Sequence, residues 1–255
     1  MKEISLVAIA TVGFAVPVLA ADLSARPFTK AQPMVAAIYD WSGFYVGANG
    51  GWGGDRKCWS LVNNGAPTID VGCNSGNGGV AGGQVGYRWQ AANWVFGAEA
   101  QGDWANLKGS SISLVNPLVT NQSQVNAFGL FTGQVGYALY DALLYVKGGA
   151  AVAADKYNGL GTTTGIVFDR ASETRWGSTV GAGIEFGFAP NWSAAVEYDH
   201  LFMGSANNTF ISTGWGPNNK VAAGGLERIV NIRQDVDMVA ARINYRWGNP
   251  AVPKY

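Results

Sequence analysis

From Trp41 onward, apolar and polar residues alternate with a period of two, and the pattern recurs in eight separate segments. A period of two sends successive side chains to opposite faces of a strand. In "WSGFYVGANGGWGG", Phe44, Val46, Ala48, Gly50 and Trp52 share one face, and Tyr45, Gly47, Asn49 and Gly51 the other. In "VNAFGLFTGQVGYAL" the apolar face is Val125, Ala127, Gly129, Phe131, Val135, Tyr137 and Leu139. The same reading applies to the segments around Val85, Phe96, Val146, Ile184, Val196 and Ile243. "GQVGY" occurs at Gly83–Tyr87 and again at Gly133–Tyr137, so the repeating unit is a hairpin. Connections alternate between short (Ala91–Asn93, Tyr140–Ala142, Ala189–Asn191) and long (Gly53–Gly79, Ala105–Gln124, Asp155–Ser172, Leu201–Val230). Short turns at one end and long loops at the other are the arrangement of outer-membrane barrels.

Alternation alone also suits a soluble up-and-down barrel or a Gly-rich sandwich; charge and tryptophan decide between them. Charged residues are 13% of the chain, about half the share of an ordinary soluble domain. A solvated outer face would carry many Lys and Glu. Eight of the ten tryptophans fall at segment ends: Trp41, Trp52, Trp89, Trp94, Trp104, Trp176, Trp192 and Trp247. Aromatic girdles at two membrane interfaces predict this placement. Ten residue steps from Trp94 to Trp104, tilted by about 40°, rise roughly 25 Å, the height of an outer-membrane apolar band. The expected fold is all-β: an eight-stranded antiparallel transmembrane β-barrel with short periplasmic turns, long extracellular loops and both termini periplasmic. Closure satisfies every backbone N–H and C=O, as hydrocarbon demands.

The N-terminus adds a compartment. Lys2 precedes an apolar run from Ile4 to Val16, and the small residues Val18 and Ala20 suit cleavage between Ala20 and Ala21. The run is shorter than the ~20 residues of a membrane-spanning helix, which argues against an anchor. Residues 1–20 therefore read as a signal peptide, 21–40 as a periplasmic linker containing Pro27 and Pro33, 41–248 as the barrel and 249–255 as a tail. Cys58 and Cys73 are the only cysteines, and export favours a disulfide over two free thiols. The 17 basic and 17 acidic residues cancel, which argues against a nucleic-acid partner. No cofactor or metal motif is present; two cysteines without clustered histidines do not make a zinc site.

The segments "ADL" (Ala21–Leu23), "WSGFYVGANGGWG" (Trp41–Gly53), "GGQVGYRWQ" (Gly82–Gln90), "VEYDHL" (Val196–Leu201) and "NYRWG" (Asn244–Gly248) resemble the alphaproteobacterial outer-membrane β-barrel family. These are the porin-like major or immunogenic outer-membrane proteins of OmpA-type, eight-stranded build. The resemblance implies an outer-membrane location among lipids and lipopolysaccharide, and insertion by the barrel-assembly machinery. It implies no transport substrate and leaves the oligomeric state open.

Counted from the short turns, Glu99, Lys147, Glu197 and Arg242 fall at one level of the polar face, with Arg88 and Glu185 just below. These six are expected to form a paired belt that plugs the lumen, since an eight-stranded interior is just filled by side chains. Lumenal water solvating separate charges is the alternative. The function expected is structural and surface-presenting. A narrow porin for small polar solutes is one alternative, and loop-mediated binding through Trp59, Phe210 and Trp215 another. No catalytic constellation is expected: strand parity puts the only histidine, His200, opposite Asp199, which leaves it as an interface residue near the outer rim.

Overall fold

The computed structural model describes residues 39–63, 65–215 and 221–247. The signal segment, the Ala20–Ala21 bond, the linker up to residue 38 and the C-terminal tail lie outside the described residues. The rest is eight strands: β1 (Gly43–Asn63), β2 (Ala66–Ala91), β3 (Trp94–Ile112), β4 (Val119–Leu139), β5 (Ala142–Gly161), β6 (Val167–Ala189), β7 (Trp192–Ser212) and β8 (Leu226–Trp247). Each pairs antiparallel with the next, and β1 pairs with β8 to close the barrel.

Below the upper tryptophans, the strands follow the expected alternation. Phe44, Val46, Phe131, Val146, Ile184, Val196 and Ile243 lie on the exterior, 42% to 60% exposed, and form an apolar band. Trp89, Trp94, Trp192 and Trp247 mark its edge at the short turns, and Trp52, Trp104 and Trp176 the opposite edge. Trp41 does not belong to these girdles. It precedes β1, turns into the lumen at 1% exposure and packs against Tyr39. The segment 39–42 enters the lumen mouth before the first strand begins, so parity counted backward from β1 misplaces it. Tyr39 and Asp40 are likewise not loose linker. Tyr39 lies under the Arg246 guanidinium, 5.0 Å from its ring centre, and Asp40 accepts a hydrogen bond from the Ser42 N–H.

The long connections are mostly strand. The strands run from 19 residues (β3) to 26 (β2), so most of the segments 53–79, 105–124, 155–172 and 201–230 continue the ladder beyond the apolar band. β-bulges mark the passage out of the band. A register shift between Val125 and Ala127 reverses the parity of β4 and turns Val125 into the lumen, correcting its expected place on the apolar face. In β7 the shift comes at Gly204, whose φ of +66° is a conformation that side chains with a Cβ avoid. Beyond it Phe210 points inward.

Candidate functional site

The described side chains that point inward form alternating apolar and ionic layers. At the short-turn end Tyr39, Trp41, Val95, Ala138, Leu143 and Tyr145 form an apolar base. Above it lies the belt, in two parts. Arg88 pairs with Glu185 at 2.8 Å, and Glu185 also accepts bonds from Ser193 (2.5 Å) and the Asn244 amide (2.9 Å). One layer up, Arg242 bridges Glu99 and Glu197, and Lys147 reaches Glu197 at 2.7 Å and Glu99 at 3.5 Å. All six side chains are at most 3% exposed. The structure thus brings the six residues together as ion pairs within hydrogen-bond reach.

Position along the strand picked out these charges, but not the groups that hold them. The Tyr45 hydroxyl donates to Glu99 and the Tyr145 hydroxyl to Glu197, each at 2.6 Å. Each tyrosine ring crosses the neighbouring strand over a glycine: a Cβ on Gly86 would meet the Tyr45 hydroxyl at 2.4 Å, and one on Gly183 would meet Tyr145 at 2.5 Å. The ladder aligns Tyr45–Gly86–Glu99 across β1, β2 and β3, and Tyr145–Gly183–Glu197 across β5, β6 and β7. The two halves of the barrel therefore carry the same Tyr–Gly–Glu device. Arg88 and Glu185, each two residues beyond its glycine, pair with one another across the lumen. Asp199 joins the belt as well, 3.3 Å from Lys147.

Above the belt, Leu107, Val125, Phe128, Leu130, Leu201 and Met238 belong to an apolar layer. A second ionic layer follows: Lys57 with Asp55 and with Asp155 (3.4 Å), and Arg175 with Glu173 (2.6 Å). Next come Trp59, Tyr157 and Phe210, in mutual contact. Arg228 caps the stack, 4.7 Å over the Phe210 ring and bound to Asp169 at 2.7 Å. Trp59 and Phe210 are fully buried and so are not the exposed loop aromatics expected of them; Trp215 is 71% exposed. Cys58 and Cys73 face each other across β1 and β2 and are bonded. The inward residues Lys57, Trp59, Asp155, Tyr157, Asp169, Phe210 and Arg228 all fall in segments that the sequence presents as loops. Their strand neighbours are polar too, and so show no contrast between faces.

His200 stands on the exterior, away from the buried Asp199. Its Nδ1 lies 2.7 Å from Asp237 on β8, which also accepts the Tyr198 hydroxyl at 2.5 Å. Among the described residues no group of three or more His, Cys, Asp or Glu could hold a metal ion.

The chain that builds this apolar, tryptophan-bordered wall is similar to proteins already known. Residues 6–219 match the model of the outer membrane protein beta-barrel domain. A 31 kDa outer-membrane immunogenic protein of Brucella melitensis is 29% identical over 228 residues, covering 84% of this chain and 94% of that one. A 25 kDa outer-membrane immunogenic protein of Brucella abortus is 28% identical over 214 residues, covering 84% and 90%. Among solved structures, the outer membrane protease OmpT of Escherichia coli superposes with a TM-score of 0.51 at 11% identity, over 80% of this chain and 97% of that one, a likeness of fold alone. With the model match running through most of the barrel, the chain belongs to the outer-membrane β-barrel family, alongside the alphaproteobacterial immunogenic outer-membrane proteins.

Proposed function

We propose that this protein is a non-conducting structural barrel of the outer membrane that presents its long hairpins to the exterior and catalyses no reaction. The filled lumen carries this reading. Two ionic layers held by direct pairs alternate with apolar layers across the interior, which supports a plugged lumen. On this reading the short turns and both termini face the periplasm, the barrel-assembly machinery inserts the chain, and lipopolysaccharide surrounds the hairpin half. The names of the Brucella relatives, outer-membrane and immunogenic, fit a surface-displayed protein. Planar-bilayer recordings of the refolded barrel are expected to show no steady single-channel current, and proteoliposomes no swelling in small sugars. Large steady currents would sink the plug. Protease shaving of intact cells that cut the two-residue turns rather than the hairpin tips would reverse the orientation.

A second reading, adhesion through the hairpin tips, is favoured by exposed apolar residues there: Leu114 (74%), Leu118 (61%) and Trp215 (71%). Substituting the three with Ser while watching surface attachment separates adhesion from a purely structural role.

A further inference from the structure

The exterior beyond the apolar band is electrically lopsided. On β3 to β6 the outward residues there include Lys108, Lys156 and Arg170, set among Gln122, Gln124, Asn158, Ser172 and Thr174. Among the described residues no carboxylate faces outward on this stretch, because Asp155, Asp169 and Glu173 turn inward to Lys57, Arg228 and Arg175. None of the three cations makes an ion pair within the described residues, whereas Arg233 on β8 faces Asp235 at 3.7 Å. The ladder runs Lys108–Gln124–Lys156–Ser172 across four strands, with Arg170 diagonal to Lys156. At about 4.8 Å between strands, this spreads three positive charges over roughly 15 Å.

Two hollows accompany the charges. A groove of about 640 Å³ is lined by Lys156, Asn158, Arg170, Ser172, Thr209 and Ile211. It lies beside a break in the wall, where the pairing of β6 with β7 lapses between Arg170 and Ser178. Arg175 reaches from β6 there to the Gly204 and Ile232 carbonyls, at 3.4 and 2.9 Å. Lower down, within the apolar band, a second depression of about 450 Å³ includes Val46, Gly83, Val85, Ala100 and Gly102. Gly83, Gly102 and Gly129 form one ladder row across β2, β3 and β4. In this row a Cβ on Gly83 would meet the Gly47 carbonyl oxygen at 3.1 Å and one on Gly129 the Val152 side chain at 2.8 Å, so only Gly102 stands in open space. A Cβ on Gly102 would meet nothing within 4 Å, and on Gly133 or Gly148 nothing closer than 3.5 Å. Lys108 stands six residues beyond Gly102 on β3, and Lys156 six beyond Ala150 on β5, about 15 Å along the membrane normal at the usual tilt.

We infer that the β2–β6 face is a docking surface for a phosphorylated, multiply acylated saccharide lipid of the outer leaflet. Its phosphates sit on Lys108, Lys156 and Arg170, and its chains lie along the Gly/Ala trough below. Charge complementarity selects the head group, because three unopposed cations at head-group height attract anionic lipid. The hydroxyl and amide groups of Ser172, Thr209 and Asn158 suit a sugar. The trough supplies the apolar contact that a free phosphate would not use. The inference rests on the proposed orientation, with the hairpin half outside.

The test uses the full mature chain refolded in nanodiscs, its closed state checked by the heat-dependent gel shift, with retention of added lipid read by native mass spectrometry. The probes are a bisphosphorylated hexa-acyl glucosamine disaccharide, its dephosphorylated counterpart and inorganic phosphate. The phosphorylated lipid is expected to be retained at least about tenfold better than the dephosphorylated one, given the attraction of clustered Lys and Arg for anionic lipid. The Lys108→Gln/Lys156→Gln/Arg170→Gln variant is expected to lose that preference, and Asp235→Asn on β8 to keep it. Gly102→Leu fills the trough without an interior clash and is expected to weaken retention of both lipids. Equal retention of both lipids by the wild type, or an unchanged preference in the triple variant, overturns the proposal. Competition by millimolar inorganic phosphate would make this a free-phosphate site and overturn the lipid assignment. Nanodisc binding does not depend on orientation in the cell or on conductance, so this result and the failure of the structural reading are separable.

Discussion

Arg242 is the residue on which the belt turns, because it bridges Glu99 and Glu197 more closely than Lys147 does. Removing one partner of a buried pair leaves an uncompensated charge and typically costs about 3–5 kcal/mol. Arg242→Met is expected to lower the urea unfolding midpoint in lipid vesicles accordingly. Glu99→Gln/Glu197→Gln/Arg242→Met, which removes the stranded charges too, is expected to regain most of that loss; a triple variant no more stable than the single one would refute the pairing. Gly86 and Gly183 are the quieter counterparts. A methyl group at either would collide with the tyrosine ring that lies over it, and overpacking of this kind costs about 1–3 kcal/mol. Gly86→Ala and Gly183→Ala should each destabilise by that order. Gly102→Ala, where the space is open, should not, and the same unfolding assay checks all three. A conformational-freedom argument would treat all these glycines alike; the tyrosine rings separate them.

At the scale of elements, the hairpin half behaves as an extension with its own core. The bond between Cys58 and Cys73 closes a separation of 15 residues, and on the chain-entropy model such a crosslink contributes about 3 kcal/mol. Reduction should loosen the tip of the β1–β2 hairpin while the ladder below Trp52 and Gly79 holds. Proteolysis between residues 59 and 72 should therefore rise on reduction while the heat-dependent gel shift stays unchanged. The Asp169–Arg228 clasp at the far end, beyond the apolar band, adds a pH dependence. Burial pushes the Asp169 carboxyl above its ordinary range, and Arg228 only partly offsets this. The folded state then takes up the proton before the unfolded state does. Asp169 therefore contributes stability that is full below the ordinary carboxylate pKa and fades as pH rises through the raised one. Relative to the wild type, Asp169→Asn should show a flatter decline of thermal stability across that window. A wild type that gains stability there relative to the variant would contradict the sign.

Across the whole molecule, net charge hides a sorting by face. The 17 basic and 17 acidic residues cancel in the sequence, yet most of the charged side chains of the apolar band point into the lumen and pair there. The cations of β3 to β6 are left outside without carboxylates. A total of zero is thus compatible with a strongly basic face, which composition averages away.

The sequence alone determined the strand count, the closed antiparallel architecture, the face of each strand that forms the exterior band, and the six belt charges. Within the band one face is apolar and the other polar, so the period of two is visible in the letters. Beyond it the contrast disappears. Outward residues such as Gln122, Gln124 and Lys156 are polar, and inward ones such as Asn121, Ser123 and Asp155 are polar as well. Strand continuation there reads as loop. The tertiary structure decided those long hairpins, the bulges that turn Val125 and Phe210 inward, and the entry of Trp41 into the lumen mouth. It also decided which charges meet. Arg88 with Glu185 and Arg242 with Glu99 lie far apart in the chain, and only closure of the barrel brings them across the lumen. A strand pattern records which face a residue takes; the partner it meets across the interior depends on tilt, stagger and closure, which belong to the barrel as a whole.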